Sequence, residues 1–400
     1  MKIRTGKGTA VPLSVLSAIW SVSAVSSLPG LAVSPILGSL NTIFPSAGDL
    51  EIQMLTSLPS LLIIPFVLLA GRLAVGRDKL GILTAGLTIF LLSGIACLFI
   101  RHIAALILAS CILGIGAGMV IPFSTGLVVD YFAGDRRIRQ LGYSSAVNNL
   151  TLVLATALSG YLAGIDWHLA FLVYTLPALS LLLTRFLRRQ RPGGEAAEKK
   201  SIRSTGIERR RLVRLMALYF FLTYAVLAIT YYASFLSDDY RFPKTFSGLL
   251  ISLFFLAIMA PGLALGGIIR RLRRHTPFTA VVLISLGLLC FGIFRSRAAM
   301  AAGSLAAGFG YGILQPLIYD KTSQTAPPGR TTLALAFVMS VNYLAILLCP
   351  FLVSLFERIA ALHGNRFPFL LNGLLSAVLA VLAYRRRGGF TLGLDPSYYE

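Results

Sequence analysis

The chain has 400 residues, of which 56% are hydrophobic and only 13% are charged. Soluble domains carry about 25% charged residues, so this composition excludes an ordinary water-soluble fold and indicates a lipid environment. The net charge of +21 comes from short basic clusters between long apolar runs, which favours membrane-flanking charge over a nucleic-acid-binding face. The four cysteines lie singly in apolar runs without metal-ligand spacing, so we expect neither a metal nor a cofactor.

The apolar runs predict transmembrane helices, because about 20 apolar residues span the hydrocarbon core and a helix satisfies its own backbone there. The first run resembles a signal peptide, but its apolar character continues through Pro29 to Leu40, so we keep it as a span. The predicted fold class is an all-α integral membrane protein with twelve transmembrane helices. The predicted spans are 11–40, 49–74, 80–100, 103–130, 138–164, 167–187, 212–236, 246–269, 277–294, 297–320, 331–357 and 367–384.

A charged stretch with Gly and Pro but no apolar face, residues 188–211, divides the chain into halves of nearly equal length. With a cytoplasmic start, 29 basic residues fall on the cytoplasmic side and 7 outside, which predicts that both ends are cytoplasmic at a plasma or bacterial inner membrane. The predicted domains are a six-helix bundle (1–187), a cytoplasmic linker (188–211), a second six-helix bundle (212–387) and a cytoplasmic tail (388–400).

The two halves carry the same signature 194 residues apart: GIGAGMVIP at 114–122 matches GFGYGILQP at 308–316. The same offset pairs Arg136 with Arg330 and Asn148 with Asn342. Six spans return the chain to its starting side, so the halves should share one topology as pseudo-symmetric bundles beside a central crevice.

The repeated glycines have a structural explanation. They lie four apart on one helix face, which predicts close helix packing, although some of them could also face a substrate path. A dinucleotide-binding motif is excluded because no strand precedes them. The glycines predicted to pack are Gly114, Gly118, Gly308 and Gly312.

Three segments resemble the major facilitator superfamily, particularly its twelve-helix drug and sugar efflux branch. Residues 71–79 (GRLAVGRDK) resemble the motif between helices 2 and 3. Residues 113–122, followed by 130–137, resemble helix 4 and the loop beyond it. Residues 159–171 resemble the junction of helices 5 and 6. The resemblance implies the two-bundle fold and transport by alternating access.

Three departures from the family pattern weaken a default assignment as a proton/drug antiporter. The usual aspartate of the helix 2–3 motif is Val75, with Asp78 shifted by most of a turn. The arginine that the family associates with proton coupling is Ser110 here. The Gly-Pro pattern linked with antiport becomes ATALSG at 155–160.

The resemblance also implies a cytoplasmic gate, in which opposite charges after spans 2 and 4 pair when this side is closed. Ordinary interfacial charge, worth about 0–1 kcal/mol per exposed pair, is the alternative. The predicted gate residues are Gly71, Arg72, Arg77, Asp78, Asp130, Asp135 and Arg136.

No charged residue falls in the middle of a predicted span, which favours neutral or amphipathic cargo. An unpaired side-chain amide in lipid costs about 2–7 kcal/mol, so polar groups at mid-depth should face protein or a wet cavity. Asn148 and Asn342 could instead only join neighbouring helices by hydrogen bonds. The residues predicted to line a substrate cavity are Gln53, Thr56, Asn148, Asn149, Tyr224, Tyr231, Tyr311, Gln315 and Asn342.

The leading functional prediction is a secondary active transporter that exports a small neutral or amphipathic molecule, driven by protons. Uptake or facilitated diffusion of a neutral nutrient, a lipid flippase and a non-transporting receptor are the alternatives. An enzyme is disfavoured because the four histidines are scattered at span ends, without a nucleophile or carboxylate pair. The expected partners are a small-molecule substrate, membrane lipid and, as the candidate coupling ion, protons; we expect a monomer and no nucleic acid.

Overall fold

The structure is a computed structural model that describes residues 2–4, 10–29, 43–44, 49–75, 78–189, 206–327, 329–361, 364–386 and 388–398. Twelve helices in these ranges correspond one to one with the predicted spans. They are α1 (Leu13–Val25), α2 (Asp49–Leu73), α3 (Lys79–Cys97), α4 (Ile103–Tyr131), α5 (Gly134–Ala163), α6 (Pro177–Arg189), α7 (Arg209–Asp239), α8 (Lys244–Leu272), α9 (Thr276–Ile293), α10 (Arg297–Gln324), α11 (Thr331–Ala360) and α12 (Phe367–Arg385).

Several short elements flank these helices. Strands β1 (Lys2–Arg4) and β2 (Ala10–Pro12) form an antiparallel pair before α1, which the sequence did not predict. Three 3-10 helices, Trp167–Thr175, Arg273–His275 and Pro396–Tyr398, lie before α6, between α8 and α9, and after α12.

The helices have the character that lipid contact requires. Nine segments of the described chain are long and apolar enough to cross a membrane; one of them contains both α8 and α9, and α1 and the Leu58–Leu73 part of α2 are shorter apolar helices. Large apolar side chains point outward, with Phe99 77% and Phe351 69% exposed. Such groups are stable when lipid covers them. The predicted all-α membrane fold is confirmed.

The chain divides into two compact units that interleave along the sequence. Unit 1 comprises Met1–Ala133, Val147–Glu208 and Thr322–Tyr343, and unit 2 comprises Gly134–Ala146, Arg209–Lys321 and Leu344–Glu400. Helices α5, α10 and α11 therefore each contribute a segment to both units. The division into two bundles at 188–211 stays a prediction.

In unit 1, two glycines on α4 let this helix approach α2 very closely. A Cβ added to Gly114 would lie 2.6 Å from the carbonyl oxygen of Pro59 on α2, and one on Gly118 would lie 2.9 Å from that of Ile63. Real Cβ atoms essentially never approach within 3.0 Å of such atoms. Glycine is therefore required here for packing, as at other small-residue helix crossings.

Unit 2 repeats this contact at the repeated positions. A Cβ on Gly308 would clash with the carbonyl oxygen of Phe254 on α8, and one on Gly312 would clash with that of Ile258. The sequence repeat thus corresponds to the same helix crossing, α4 on α2 in one unit and α10 on α8 in the other.

Candidate functional site

Helices α7 and α10 bring a group of uncharged polar side chains together in unit 2. Three of them follow one another at four-residue spacing on α10 and two share a face of α7, because residues four apart on a helix are neighbours. We call this group the tyrosine cluster; its members are Tyr219, Thr223, Tyr311, Gln315 and Tyr319.

Hydrogen bonds join the cluster around Gln315. The Gln315 Nε2 donates to the hydroxyl oxygens of Tyr219 at 3.2 Å and Tyr319 at 3.4 Å, and these two hydroxyls lie 2.7 Å apart. The Gln315 Oε1 accepts a hydrogen bond of 2.9 Å from Ser145 on the first part of α5. Both ends of the amide are therefore engaged, which fixes its orientation.

The tyrosine cluster also contains a pair of stacked aromatic rings. The rings of Tyr219 and Tyr311 are stacked, with centroids 6.4 Å apart and 14° between their planes. The Tyr311 hydroxyl lies 3.1 Å from Thr223 Oγ1 and donates to the Tyr219 hydroxyl at 3.4 Å. Both tyrosines are buried.

This arrangement offers hydrogen-bond donors and acceptors beside aromatic faces, without a formal charge. Gln315 lies nine residues before the end of α10, or about 14 Å along the helix axis. Such a group of side chains has the chemistry to bind a molecule that carries hydroxyl, carbonyl or amide groups on an apolar body.

Two predicted cavity residues of unit 2 lie elsewhere. Tyr224 is buried with Ala345, Cys349 and Val353 of α11, where Tyr231 also packs and bonds the Ile346 carbonyl at 3.3 Å. Tyr224 follows Tyr219 by five residues, which is about 140° around the helix. The structure therefore brings only Tyr311 and Gln315 of this predicted group into the tyrosine cluster.

In unit 1, Asn148 joins α5 to the chain that follows α1. Its Oδ1 accepts a hydrogen bond from Ser26 at 3.1 Å, and its backbone carbonyl accepts one from Ser27 at 3.1 Å. Asn149 is buried, and Asn342 is half-buried on the α11 segment of this unit. The Asn148 bonds are those that a helix-joining role requires. The predicted cavity side chains Gln53 and Thr56 lie outside the described residues.

One predicted gate residue of unit 1, Asp130, forms an ion pair with a residue outside the predicted set. Lys79 Nζ lies 3.0 Å from Asp130 Oδ2, and both side chains are less than one-fifth exposed. Gly71 lies against the first part of α11, because a Cβ added to it would clash with that of Ala336. Arg72 and Asp78 are exposed. Arg77 lies outside the described residues.

The remaining gate residues belong to unit 2. Asp135 pairs with Arg139 one turn along α5 at 2.6 Å, and both side chains are well exposed. Arg136 is exposed. Arg137 instead places its Nε 2.5 Å from Oδ1 of Asp320, whose side chain is completely buried.

Sequence reasoning missed Asp320, because the predicted span ended there while α10 continues to Gln324. A signal was present: Asp320 is the one acidic residue between Asp239 and Glu357. It also missed Tyr219 and Tyr319, although Tyr319 continues the four-residue spacing of Tyr311 and Gln315.

In the part of the chain that the structure describes, twelve apolar helices, an uncharged polar cluster within them and ion pairs at their ends are features of an integral membrane protein of the transporter class. The model of the Major Facilitator Superfamily matches residues 13–350, and the chain belongs to this superfamily. It is therefore a membrane transporter and not an enzyme.

Two relatives extend this assignment. An uncharacterized MFS-type transporter of Bacillus subtilis, YceJ, is 25% identical over 331 residues, which cover 80% of this chain and 84% of the relative. The quinolone resistance protein NorA of Staphylococcus aureus is 33% identical over 129 residues, covering 32% of this chain and 31% of NorA.

Two solved structures share the fold. The human organic anion transporter MFSD10 has a TM-score of 0.72 at 17% identity, covering 92% of this chain and 99% of its own. The proton:xylose symporter XylE, bound to 6-bromo-6-deoxy-D-glucose, has a TM-score of 0.72 at 13% identity, covering 93% of this chain and 95% of its own. At this identity, the similarity concerns the fold alone.

Proposed function

We propose that the chain is a secondary active transporter that exports a small neutral or amphipathic molecule across the cytoplasmic membrane by alternating access, in exchange for protons. The observation that carries this proposal is the tyrosine cluster, a hydrogen-bonded and uncharged group within the apolar helices.

The chemistry of the cluster supports an uncharged cargo. A formal charge entering a low-dielectric site needs a counter-charge or it remains costly, and the cluster supplies none. A cargo with hydroxyl or carbonyl groups can replace the bonds of Gln315, while its apolar body stacks on the tyrosine rings.

Proton coupling would use carboxylates near the helix ends. Asp130 and Asp320 each pair with a cation, Lys79 and Arg137, inside the fold. Protonation of either aspartate would remove the attraction in its pair and favour separation of the helices that carry the two partners. This route would link proton binding to opening without a carboxylate beside the cargo.

The direction of transport is proposed from two supports. The 29-to-7 distribution of basic residues favours cytoplasmic ends, which sets the orientation in the membrane. NorA, which matches a third of the chain, is named for quinolone resistance, and export would account for a shared role.

Uptake or facilitated diffusion of a neutral nutrient is the second candidate, because hydroxyl-rich cargo such as a sugar suits the same cluster. A lipid flippase on this fold is a third.

Transport by purified protein in proteoliposomes tests the proposal, with radiolabelled chloramphenicol as an uncharged probe that carries hydroxyl and amide groups on an aromatic body. We expect chloramphenicol to accumulate in vesicles that are acidic inside, and a protonophore to abolish this accumulation. Gln315→Ala should lower the rate about tenfold, because it removes hydrogen bonds worth about 0.5–1.5 kcal/mol each. Tyr240→Phe is the matched control, since the Tyr240 hydroxyl has no partner among the described residues.

Other results would contradict export of such compounds. Uptake of D-xylose without chloramphenicol movement would support the nutrient transporter instead. Equilibration that ignores the proton gradient would support facilitated diffusion, and scrambling of a fluorescent phospholipid would support a flippase.

A further inference from the structure

The residues after α12 fold back onto unit 2 and bury part of themselves there. We call residues 388–398 the latch segment. A turn closed by a 2.7 Å hydrogen bond from the Gly393 N–H to the Gly389 carbonyl directs the chain inward. Leu394 is 4% and Tyr398 8% exposed, so the segment is seated against the protein and not extended into solvent.

Basic side chains hold the first part of the latch segment. Lys321, buried in the last turn of α10, donates to the carbonyl oxygens of Gly393 at 2.5 Å and Thr391 at 3.2 Å. The guanidinium of Arg211 lies 4.8 Å from the centre of the Phe390 ring, within cation–π range. These contacts fix the segment to the ends of α7 and α10.

The end of the latch segment contacts the buried ion pair. The Tyr398 hydroxyl donates to Asp320 Oδ2 at 2.6 Å, while Oδ1 of the same carboxylate accepts from Arg137 at 2.5 Å. The surrounding 3-10 helix, Pro396–Tyr398, packs against the one at Arg273–His275. Asp320 therefore has a partner at each oxygen and no exposed surface.

This geometry affects how readily Arg137 and Asp320 can separate. Two opposite charges attract more strongly where water is excluded, and salt screens a buried pair less than an exposed one. While Tyr398 covers Asp320, departure of Arg137 would leave a buried and nearly unpaired carboxylate, which is strongly unfavourable. The Tyr398 hydrogen bond exists only while the latch segment is seated, so its loss would make departure of the segment more favourable. Once the segment has left, water could solvate Asp320 in place of the arginine.

We propose that the latch segment holds the Arg137–Asp320 pair closed and must leave before the start of α5 can separate from the end of α10. Tyr398 is then a positioning residue of the transport cycle, acting through Asp320. Its role in transport rests on the proposed function, whereas its effect on the helix separation does not.

Distance measurement between spin labels tests the latch without any substrate. Nitroxides at Asp135 and Arg274, both exposed, would report the separation near the pair, in a background whose four cysteines are replaced by alanine. We expect one short distance in the parent protein. Tyr398→Phe should raise the ratio of long to short distances about tenfold, because it removes a hydrogen bond to a charged group. Lys321→Met should act in the same direction by releasing the Gly393 carbonyl.

Tyr240→Phe provides the control, since it deletes a hydroxyl that has no partner in the described part of unit 2. An unchanged distribution in both Tyr398→Phe and Lys321→Met would overturn the latch. Tyr398→Phe keeps the buried ring, so folding should be retained, and thermal unfolding close to that of the control would establish this. A failure of chloramphenicol transport would leave these distances unaffected, so the latch and the proposed function can fail separately.

Discussion

At the scale of single residues, Asp320 and Asp135 show how burial determines the contribution of an ion pair to stability. Both accept a hydrogen bond from an arginine, but the Asp320 side chain is fully buried and that of Asp135 is 47% exposed. Exposed pairs contribute about 0–1 kcal/mol, whereas removing one partner of a buried pair costs about 3–5 kcal/mol because the other charge stays uncompensated.

We therefore expect Asp320→Ala to lower thermal stability markedly, by the equivalent of about 3 kcal/mol, because Arg137 and Tyr398 lose their common partner. Asp135→Ala is the matched control and should change stability by less than about 1 kcal/mol. Thermal unfolding of the purified protein in detergent measures both. Equal effects of the two substitutions would show that Asp320 is solvated in the working protein.

The same residues show the limits of inference from sequence. Polar side chains in apolar runs could be recognised, so Tyr311 and Gln315 were singled out from the sequence. Which hydroxyls meet across two helices depends on the rotation of each helix about its axis. The sequence therefore could not show that Tyr219 of α7, and not Tyr224, bonds to these two residues. The partner of Arg137 was hidden for another reason: the apolar pattern weakens before α10 ends, so Asp320 looked like a loop residue.

At the scale of elements, the helix crossings depend on glycine. In unit 2, Gly312 faces the Ile258 carbonyl of α8 so closely that an added methyl group cannot fit without moving a backbone. By contrast, Gly267 on α8 has nothing within 4 Å of the position that a Cβ would occupy. These two residues differ in surroundings but not in helical conformation.

We expect Gly312→Ala to destabilise the protein by about 1–3 kcal/mol, because overpacking forces the helices apart. Gly267→Ala, the control, should be neutral or stabilising by about 0.5–1 kcal/mol, because alanine favours a helix interior. Unfolding followed by circular dichroism in one detergent would compare them. A neutral Gly312→Ala would mean that α8 and α10 can separate at no cost.

The number and approximate positions of the helices were the most predictable features of the chain, because the length and apolarity of a run are enough to identify a membrane helix. The crossings followed from the repeated glycines. Helix ends were less predictable: α5 begins at Gly134 and α10 ends at Gln324, each four residues beyond the predicted limit, because buried charges let these helices continue past the apolar core. The β1–β2 pair escaped prediction because each strand has only three residues, which are too few for a strand pattern to be recognised.

At the scale of the whole molecule, the repeat is the organising feature. Each unit contains one copy of the same crossing, Gly114 and Gly118 on α4 and Gly308 and Gly312 on α10, and the chain matches the Major Facilitator Superfamily across residues 13–350. Six crossings per half would bring the linker and the segment after α12 to the same side of the membrane. The proposed gate and the latch segment both depend on this topology, because it is the reason for expecting each of them on the cytoplasmic side.

Labelling of single cysteines with a membrane-impermeant maleimide tests this topology directly. Gly206→Cys and Gly388→Cys are suitable reporters of the predicted cytoplasmic side, since both positions have open space, and Arg101→Cys and Arg295→Cys report the outer side. In intact cells we expect labelling at 101 and 295 only, with 206 and 388 reacting after permeabilisation. Labelling of 206 and 388 from opposite sides would contradict the two-bundle account.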